Sequence, residues 1–514
     1  MKAFLMYRDR DFDLEAASPQ NREALIQDLE LQVLFNAMAL GDRYLYEVAR
    51  AAVLQILSDE EEVRYRQDVL RDVLANPLVC RQLYDLTIEV RARENKLHAW
   101  MYSKSPSSIV ERSVNILQMF VVMLKQLKGI GTYNAQRFSS EGFTTLFAML
   151  DRELKDDYFV SIQDHLNELK FRDGVLISAV LGKGNKGADY TLRKPKGRAK
   201  SWITRLMTPK PPAYTWRLPP RDERGANALG ELRDRGLNLV ANALAQSDDH
   251  ILSFFAMLRA EMAFYIGCLN LQEQLAKKGR PISFPTPAAL SERKLTFNGL
   301  YDVCLSFKTD RRVVGNDLNA DGKDFVIVTG ANQGGKTTFL RSLGLAQLMM
   351  QCGMFVPAES FSANLCSHIF THYRREEDAT MKSGKLDEEL NRCSEIVDKI
   401  APDAVLLFNE SFSATNEREG SEIARQIISA LLEKRIKICF VTHLYDFAHG
   451  VYDKNTGSSI FLRAERQADG GRTFKLIEAE PLQTAYGEDL YNEIFGAGQT
   501  IGGETSDAVA RIPR

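Results

Sequence analysis

Gly330-Ala331-Asn332-Gln333-Gly334-Gly335-Lys336-Thr337 sets a glycine-rich turn, a lysine and a hydroxyl at the spacing G-x-x-x-x-G-K-[ST]. It directly follows the apolar run Phe325-Val326-Ile327-Val328. A turn of this kind aims backbone N–H groups at one point, and the helix behind it adds its positive N-terminal end, which together cradle phosphates. Lys336 has the length to meet β- and γ-phosphates, and the Thr337 hydroxyl can ligate Mg²⁺. The competing reading is a tight strand-to-helix turn with an incidental lysine. The apolar residues Phe339, Leu340, Leu343, Leu345, Ala346 and Leu348 place a helix behind the turn, as the phosphate cradle requires.

Two further runs end in groups able to act on such a phosphate. Ala404-Val405-Leu406-Leu407-Phe408 is an apolar strand ending in Asn409-Glu410. A phosphate-loop site needs a polar group there to hold Mg²⁺ through water and to orient the attacking water. Glu410 is the candidate general base. Asn409 offers an amide oxygen to a metal-bound water but brings no charge, so hydrolysis is expected to be slow. Cys439-Phe440-Val441-Thr442 ends in His443. At the C-terminal end of a strand in a parallel sheet that ring faces the ligand crevice, where it can sense the γ-phosphate or place the water.

The elements that position these groups read as alternating strands and helices: strand 325–329, helix 336–351, strand 404–408, helix 418–434 and strand 436–441, a βαβ order implying a mainly parallel sheet. The first 170 residues are almost free of strand signals. Ser18-Pro19 marks a helix start, and helices are predicted over 59–75, 77–102, 106–127, 140–151 and 156–170. Val175–Leu181, Tyr190–Arg193 and Tyr214–Leu218 read as short strands of an insertion. Between them stand Lys183, Lys186, Arg193, Lys194, Lys196, Arg198, Lys200, Arg205 and Lys210 against Asp189 alone. One basic segment in a near-neutral chain is either a phosphate-backbone contact or a solvated loop. Helical periodicity returns from Ala226 to Leu275, and Pro281, Pro285 and Pro287 mark a linker.

The composition is that of a soluble globular protein of 514 residues, with 45% hydrophobic and 26% charged residues and a net charge of −2. Any nucleic-acid contact must therefore be a local patch. The seven cysteines lack a C-x-x-C pair and read as buried free thiols in a reducing compartment. His368 and His372 have no third ligand nearby and read as structural. The N-terminus has no signal-peptide pattern, and the longest apolar stretch, Ile116 to Leu124, is too short to span a bilayer. A cytoplasmic protein with no membrane contact is expected.

Residues 311 to 490 resemble the ATPase domain of the MutS family of DNA mismatch-repair proteins, a branch of the ABC ATPases. Thr329 to Thr338 resembles the family's T-G-P-N-M-G-G-K-S-T, and Val314-Gly315-Asn316-Asp317-Leu318 its base-flanking segment. Phe355-Val356-Pro357-Ala358, Ile369-Phe370-Thr371, Asn409-Glu410 with Thr415 and Gly420, Thr442-His443 and Ala485-Tyr486-Gly487 follow the remaining motifs in order. Ser383-Gly384-Lys385 resembles the signature serine that reaches the partner subunit's nucleotide.

The resemblance implies a multidomain α + α/β protein. A helical core and lever region (1–172, resumed at 219–285) carries a small basic strand-rich clamp-like insertion (173–218), followed by a P-loop ABC-type ATPase domain (286–495) and a polar tail (496–514). It implies ATP and Mg²⁺ held by Gly330, Asn332, Gly334, Gly335, Lys336, Thr337, Thr338 and Asn316, with Ser383 acting in trans. Thr337 would touch the metal, and Asn409 and Glu410 would reach it through water. Glu410, His443 and Lys336 are the catalytic candidates. Lys183, Lys186, Arg193, Lys194, Lys196, Arg198 and Lys200 are the DNA-contact candidates. Neither a mismatch-reading domain nor a connector fits before the first helices. An ATP-gated homodimeric clamp recognising DNA structure rather than sequence is expected, with a possible repair or recombination partner. An ATP-binding interaction scaffold with little hydrolysis is the alternative. Val313 stands where the family often has an aromatic to stack on adenine, and Phe461 is a substitute for that role.

Overall fold

The structure is a computed structural model that describes residues 1–16, 19–98, 105–172, 174–194, 214–215, 217–331, 333–375, 384–454, 457–467 and 471–482. The chain forms two compact units. A helical unit comprises Met1–Ala16, Arg43–Ala49 and Asp68–Leu269, and a sheet unit comprises Ala17–Asp42, Arg50–Gln67 and Asn270–Arg514.

The helical unit is built on Pro77–His98, Pro106–Asn134, Glu141–Glu153, Asp156–Glu168 and much of Glu223–Lys277. Helix Pro106–Asn134 starts where the pattern demands: Ser105 caps it by accepting from the Ser108 N–H, and Pro106 takes the first turn, where a missing N–H costs nothing. Val110, Val114, Leu117, Phe120, Val121, Leu124 and Leu127 recur at helical spacing and are buried, with Phe120 stacked on Phe255 at 6.2 Å. This helix outruns the apolar stretch Ile116 to Leu124. Pro106–Arg137 and Glu223–Lys277 are both long and apolar enough to cross a membrane by length and composition, and 50% and 72% of their most apolar windows are buried, as in core helices.

Strands β1 (Ile177–Leu181) and β2 (Gly187–Leu192) pair antiparallel as a hairpin, near the expected limits. The third expected strand, over 214–218, is not formed among its described residues, where Tyr214, Thr215, Arg217 and Leu218 lie in irregular backbone. The two prolines that follow, Pro219 and Pro220, withhold the donors a ladder needs.

The sheet unit holds two sheets. The first has the order β12-β11-β6-β10-β9-β8, from strands Arg472–Glu478, Ser459–Arg466, Phe325–Thr329, Lys437–Val441, Val405–Asn409 and Ile369–Tyr373 respectively. All neighbours are parallel except the edge pair β11–β12. β6, β8 and β10 are buried along their whole length, so their apolar residues do not alternate with solvent-facing polar ones, and the polar His372 and Lys437 within them are hydrogen-bonded. Helices Lys336–Gln351, Lys385–Lys399, Glu417–Glu433 and Tyr445–Lys454 complete the α/β unit. The second sheet, β3 (Thr286–Ala288), β7 (Ser360–Asn364), β4 (Leu295–Leu300) and β5 (Asn316–Asn319) in that order, has no counterpart in the sequence expectations. Its strand β3 lies in the expected proline linker. Pro287 is tolerated there because β3 is an edge strand.

Residues 17–42 and 50–67 were expected to belong to an uninterrupted helical domain over 1–172, yet they pack within the sheet unit. Leu25, Leu29, Leu31, Leu34 and Phe35 are fully buried. Asn21 donates to the Ile369 carbonyl at 2.6 Å, and Asp28 pairs with Arg375 at 2.7 Å. Helical spacing shows which face is buried but not what covers it.

Candidate nucleotide-binding site

The phosphate loop is shaped by its neighbours. Gly330 has φ +112°, and a Cβ there would stand 2.9 Å from the Ala464 backbone nitrogen in β11. Gly335 has φ +90°, and a Cβ on Gly334 would meet the Ala464 side chain at 2.8 Å. Glycine is therefore demanded by sterics before any ligand enters. Helix Lys336–Gln351 begins directly at the loop. Lys336 is 4% exposed, and its amine donates to the carbonyls of Gly330 at 2.9 Å and Ala331 at 2.8 Å. Burial lowers its pKa to about 8, and the Glu410 carboxylate opposes that shift.

The expected partners converge on this loop. Val328, Val441, Asn409 and Tyr373 lie in lateral register across β6, β10, β9 and β8, so all four strand ends open on one edge. Thr337 Oγ1 donates to Asn409 Oδ1 at 3.0 Å. His443 Nε2 lies 3.0 Å from Glu410 Oε1. The His443 hydrogen bond holds Glu410 below the usual carboxylate range against the cost of burial, helped by the charges of His443, Lys336 and Arg374. Glu410 has φ +55°, a left-handed turn that takes it out of the strand. His372, four residues from His368, is buried: Nδ1 is 2.6 Å from the Ser411 hydroxyl and Nε2 donates to the Glu389 carbonyl at 3.0 Å. No cluster of metal-binding side chains occurs among the described residues, and all seven cysteines are buried and free.

A cavity of about 390 Å³ opens beside the loop, with Lys336, Thr337, Thr338, Gln333, Gly335 and Glu410 in its wall. Its wall also includes Tyr301, Val313, Asn316 and Phe474. Asn316 is a pin as well as a lining residue: its Oδ1 accepts from the Leu476 N–H at 2.8 Å and its Nδ2 donates to the Phe474 carbonyl at 3.4 Å. Val313 lines the cavity. Phe461 does not line the cavity. Its ring packs edge-on against Tyr452 at 5.1 Å, on the core side of β11, where it cannot stack on a base in the cavity. Phe474, on β12, does line the cavity, as do Tyr301 and Phe339, and it is the most exposed of the three at 48%, with φ +59°. Sequence gave no signal for it, because only the sheet order brings β12 beside the loop. Asn332 and Ser383 lie outside the described residues, as do Ala485, Tyr486 and Gly487.

In the helical unit, Lys183 and Lys186 are exposed at the tip of the β1–β2 hairpin. Arg193 donates to Ser178 Oγ at 2.8 Å, and Lys194 pairs with Glu168 at 2.6 Å. Lys196, Arg198 and Lys200 lie outside the described residues.

A mainly parallel sheet with its helices, a glycine turn forced by its neighbours and a lysine at the head of a helix define the sheet unit as an α/β fold. Two family profiles match: one described as the MutS2 N-terminal domain over residues 58–278, the other as MutS domain V over residues 326–494. The chain belongs to the MutS family. It is similar to the human "MutS protein homolog 4", 25% identical over 234 residues, which is 44% of this chain and 24% of that protein. It is also similar to the "DNA mismatch repair protein MutS" of Syntrophomonas wolfei, 30% identical over 189 residues covering 36% of this chain and 22% of that protein. A Thermotoga neapolitana protein of the same description is 30% identical over 168 residues, 32% of this chain and 21% of that one. These matches thus span about a quarter of the length of the relatives.

Proposed function

We propose that the protein is an ATP-dependent DNA-binding ATPase of the ABC type, acting in repair or recombination as a dimeric, ATP-gated clamp. The observation that carries the ATPase part is the convergence of Lys336, the Thr337–Asn409 bond and the Glu410–His443 pair on one cavity edge. ATP would lie with its phosphates on the loop and its base toward Val313 and Phe474. Lys336 would exchange its two carbonyl partners for β- and γ-phosphate oxygens. Glu410, oriented by His443, would accept a proton from the water attacking the γ-phosphorus, while the bond from that phosphorus to the β,γ-bridging oxygen breaks and ADP leaves. The donors Thr337 Oγ1, Asn409 Oδ1 and the Glu410 carboxylate are hard oxygens that fit Mg²⁺, with Thr337 ligating directly and the other two through water. Bound there, Mg²⁺ would supply neutralisation of phosphate charge.

DNA binding is supported by the similarity to DNA mismatch repair proteins and by the exposed Lys183 and Lys186 at the hairpin tip. Recognition would be of structure rather than sequence, through phosphates. Each ATP site would be completed by Ser383 of the second copy, so that γ-phosphate binding shifts an open-to-closed equilibrium. A cytoplasmic location and a further protein partner belong to this proposal. The test is a binding panel of duplex, mismatched, forked and four-way DNA at low salt, with and without ATP. ATP-dependent preference for a branched form is expected. Preference for a mismatch contradicts the structure-reading role, and no binding contradicts the clamp. A protein that stays monomeric at high concentration with Mg·ATP contradicts the shared site.

A second reading is favoured by one observation. Asn409 receives the Thr337 hydroxyl but adds no charge at the metal position. The protein would then be an ATP-binding interaction scaffold with little turnover.

A further inference from the structure

The edge that carries Glu410 and His443 also carries an arginine that the sequence motifs do not account for. Arg374 is the first residue beyond β8, next to β9 in the order β6-β10-β9-β8. Its backbone N–H donates to the Asn409 carbonyl at 3.0 Å, just as the Glu410 N–H donates to the Val441 carbonyl at 2.8 Å. Arg374 and Glu410 therefore leave the same edge from adjacent strands, roughly 4.8 Å apart in strand spacing. His372, two residues earlier, points toward Ser411 and Glu389, and strand alternation gives Arg374 the same face.

Arg374 stands among three guanidinium groups, and the other two are committed. Arg375 pairs with the buried Asp28 at 2.7 Å, and Arg392 donates to the Tyr373 carbonyl at 3.1 Å. The Arg374 side chain is exposed and has no hydrogen-bond or ion-pair partner among the described residues. The two carboxylates whose field it enters are already engaged: Glu410 with His443, and Glu389 Oε2 with the Phe412 N–H at 3.0 Å. An exposed guanidinium without a protein partner, close enough to feel the charge of the cavity-lining Glu410, is positioned to accept an anion.

We propose that Arg374 is a phosphate-contacting residue that grips the terminal phosphate of the bound nucleoside triphosphate from the β8 side, across the edge from Lys336. This rests on the ATP-site reading above. In the transfer step, the water oxygen bonds to the γ-phosphorus and the bond to the β,γ-bridging oxygen breaks, its electron pair leaving with ADP. The water proton passes to Glu410, and Arg374 keeps its own protons. The charge spread over the three equatorial oxygens then lies between Lys336 and Arg374.

The test compares wild type, Arg374→Ala and Arg374→Lys in affinity for ADP and for the slowly hydrolysed triphosphate ATPγS, each with Mg²⁺, together with kcat and KM for ATP. Arg374→Ala should bind ADP as wild type does, yet lose about tenfold to a hundredfold in affinity for ATPγS relative to ADP. Its kcat should fall about a hundredfold or more. Arg374→Lys should recover part of both losses. Unchanged discrimination between the two nucleotides and unchanged kcat in Arg374→Ala overturn the proposal, as does equal weakening of both nucleotides, which marks a merely structural residue. A wild type that binds neither nucleotide overturns the ATP-site reading itself, and this proposal with it. If wild type binds ATP without turnover, the affinity ratio alone decides.

Discussion

Removing Arg341 should cost the sheet unit several kcal/mol and should do so through one partner. Arg341 lies in helix Lys336–Gln351, with its Nε bonded to Asp302 Oδ2 and its Nη1 2.7 Å from Glu30 Oε1. The Asp302 side chain is fully buried, and its Oδ1 caps helix Val303–Lys308 by accepting from the Leu305 N–H at 2.9 Å. Burial pushes the Asp302 carboxyl up, and Arg341 is the main force pulling it back. In Arg341→Met this carboxylate must stay charged without compensation or take up a proton. Breaking a buried pair costs about 3–5 kcal/mol. Protonating a carboxyl of ordinary pKa at pH 7 costs about 4 kcal/mol, which caps the loss. Glu30 adds little, because Lys308 still pairs with it at 2.6 Å. A loss of roughly 3–4 kcal/mol at pH 7 is expected. Asp302→Asn keeps the capping acceptor and removes the charge, so it should cost only about 1–2 kcal/mol. The double variant should resemble Asp302→Asn. The sign with pH follows: the variant's carboxyl has a folded pKa above its unfolded one. Its deficit should therefore be full at neutral pH and vanish below about pH 4, where both states are protonated. Urea unfolding of the four proteins at pH 7 and at low pH measures this directly. Additivity of the two single changes within about 0.5 kcal/mol would refute the reasoning.

Three further outcomes are expected. Gly330→Ala forces a Cβ to within 2.9 Å of the Ala464 nitrogen at φ +112°, so ATP affinity in equilibrium dialysis should fall about tenfold or more; wild-type affinity would show that the loop does not cradle the phosphates. His372 is held neutral by burial, its pKa lowered to about 4, so its stabilising contribution is complete above its ordinary value of 6.5 and is lost as pH falls toward 4. That amounts to roughly 3 kcal/mol, and His372→Gln should flatten the acid limb of stability against pH, whereas an unchanged limb contradicts the assignment. Phe474→Ala should weaken ATP and ADP alike by roughly tenfold while leaving inhibition by inorganic tripolyphosphate unchanged, since a stacking surface touches the base alone; equal loss of tripolyphosphate binding contradicts the base position.

The phosphate loop, Asn409-Glu410 and His443 were legible because each is a polar group closing a continuous apolar run, and in a parallel sheet such runs end on one edge. The second sheet was not. Thr286-Pro287-Ala288 has only three residues, one of them a proline, too few for alternation to register, and its pairing with β7 is fixed only by the fold. Residues 17–42 show the limit of helical periodicity: Leu25, Leu29 and Phe35 announce a buried face without naming its cover. Phe461 and Phe474 show the same limit within strands. Both are aromatics in the terminal hairpin, and only the position of β12 at the sheet edge decides that Phe474 faces the cavity. Arg374 belongs to no motif: in the sequence it is one of two adjacent arginines, and only the strand order sets it beside Glu410.

The most direct measurement is single-turnover cleavage of Mg·ATP by wild type, Lys336→Ala and Glu410→Gln, with ATP binding measured in parallel. Wild type should bind and cleave ATP. Glu410→Gln should bind it and cleave about a hundredfold or more slowly, and Lys336→Ala should bind it weakly. Wild type releasing phosphate no faster than Glu410→Gln would contradict the hydrolytic role and leave an ATP-binding scaffold.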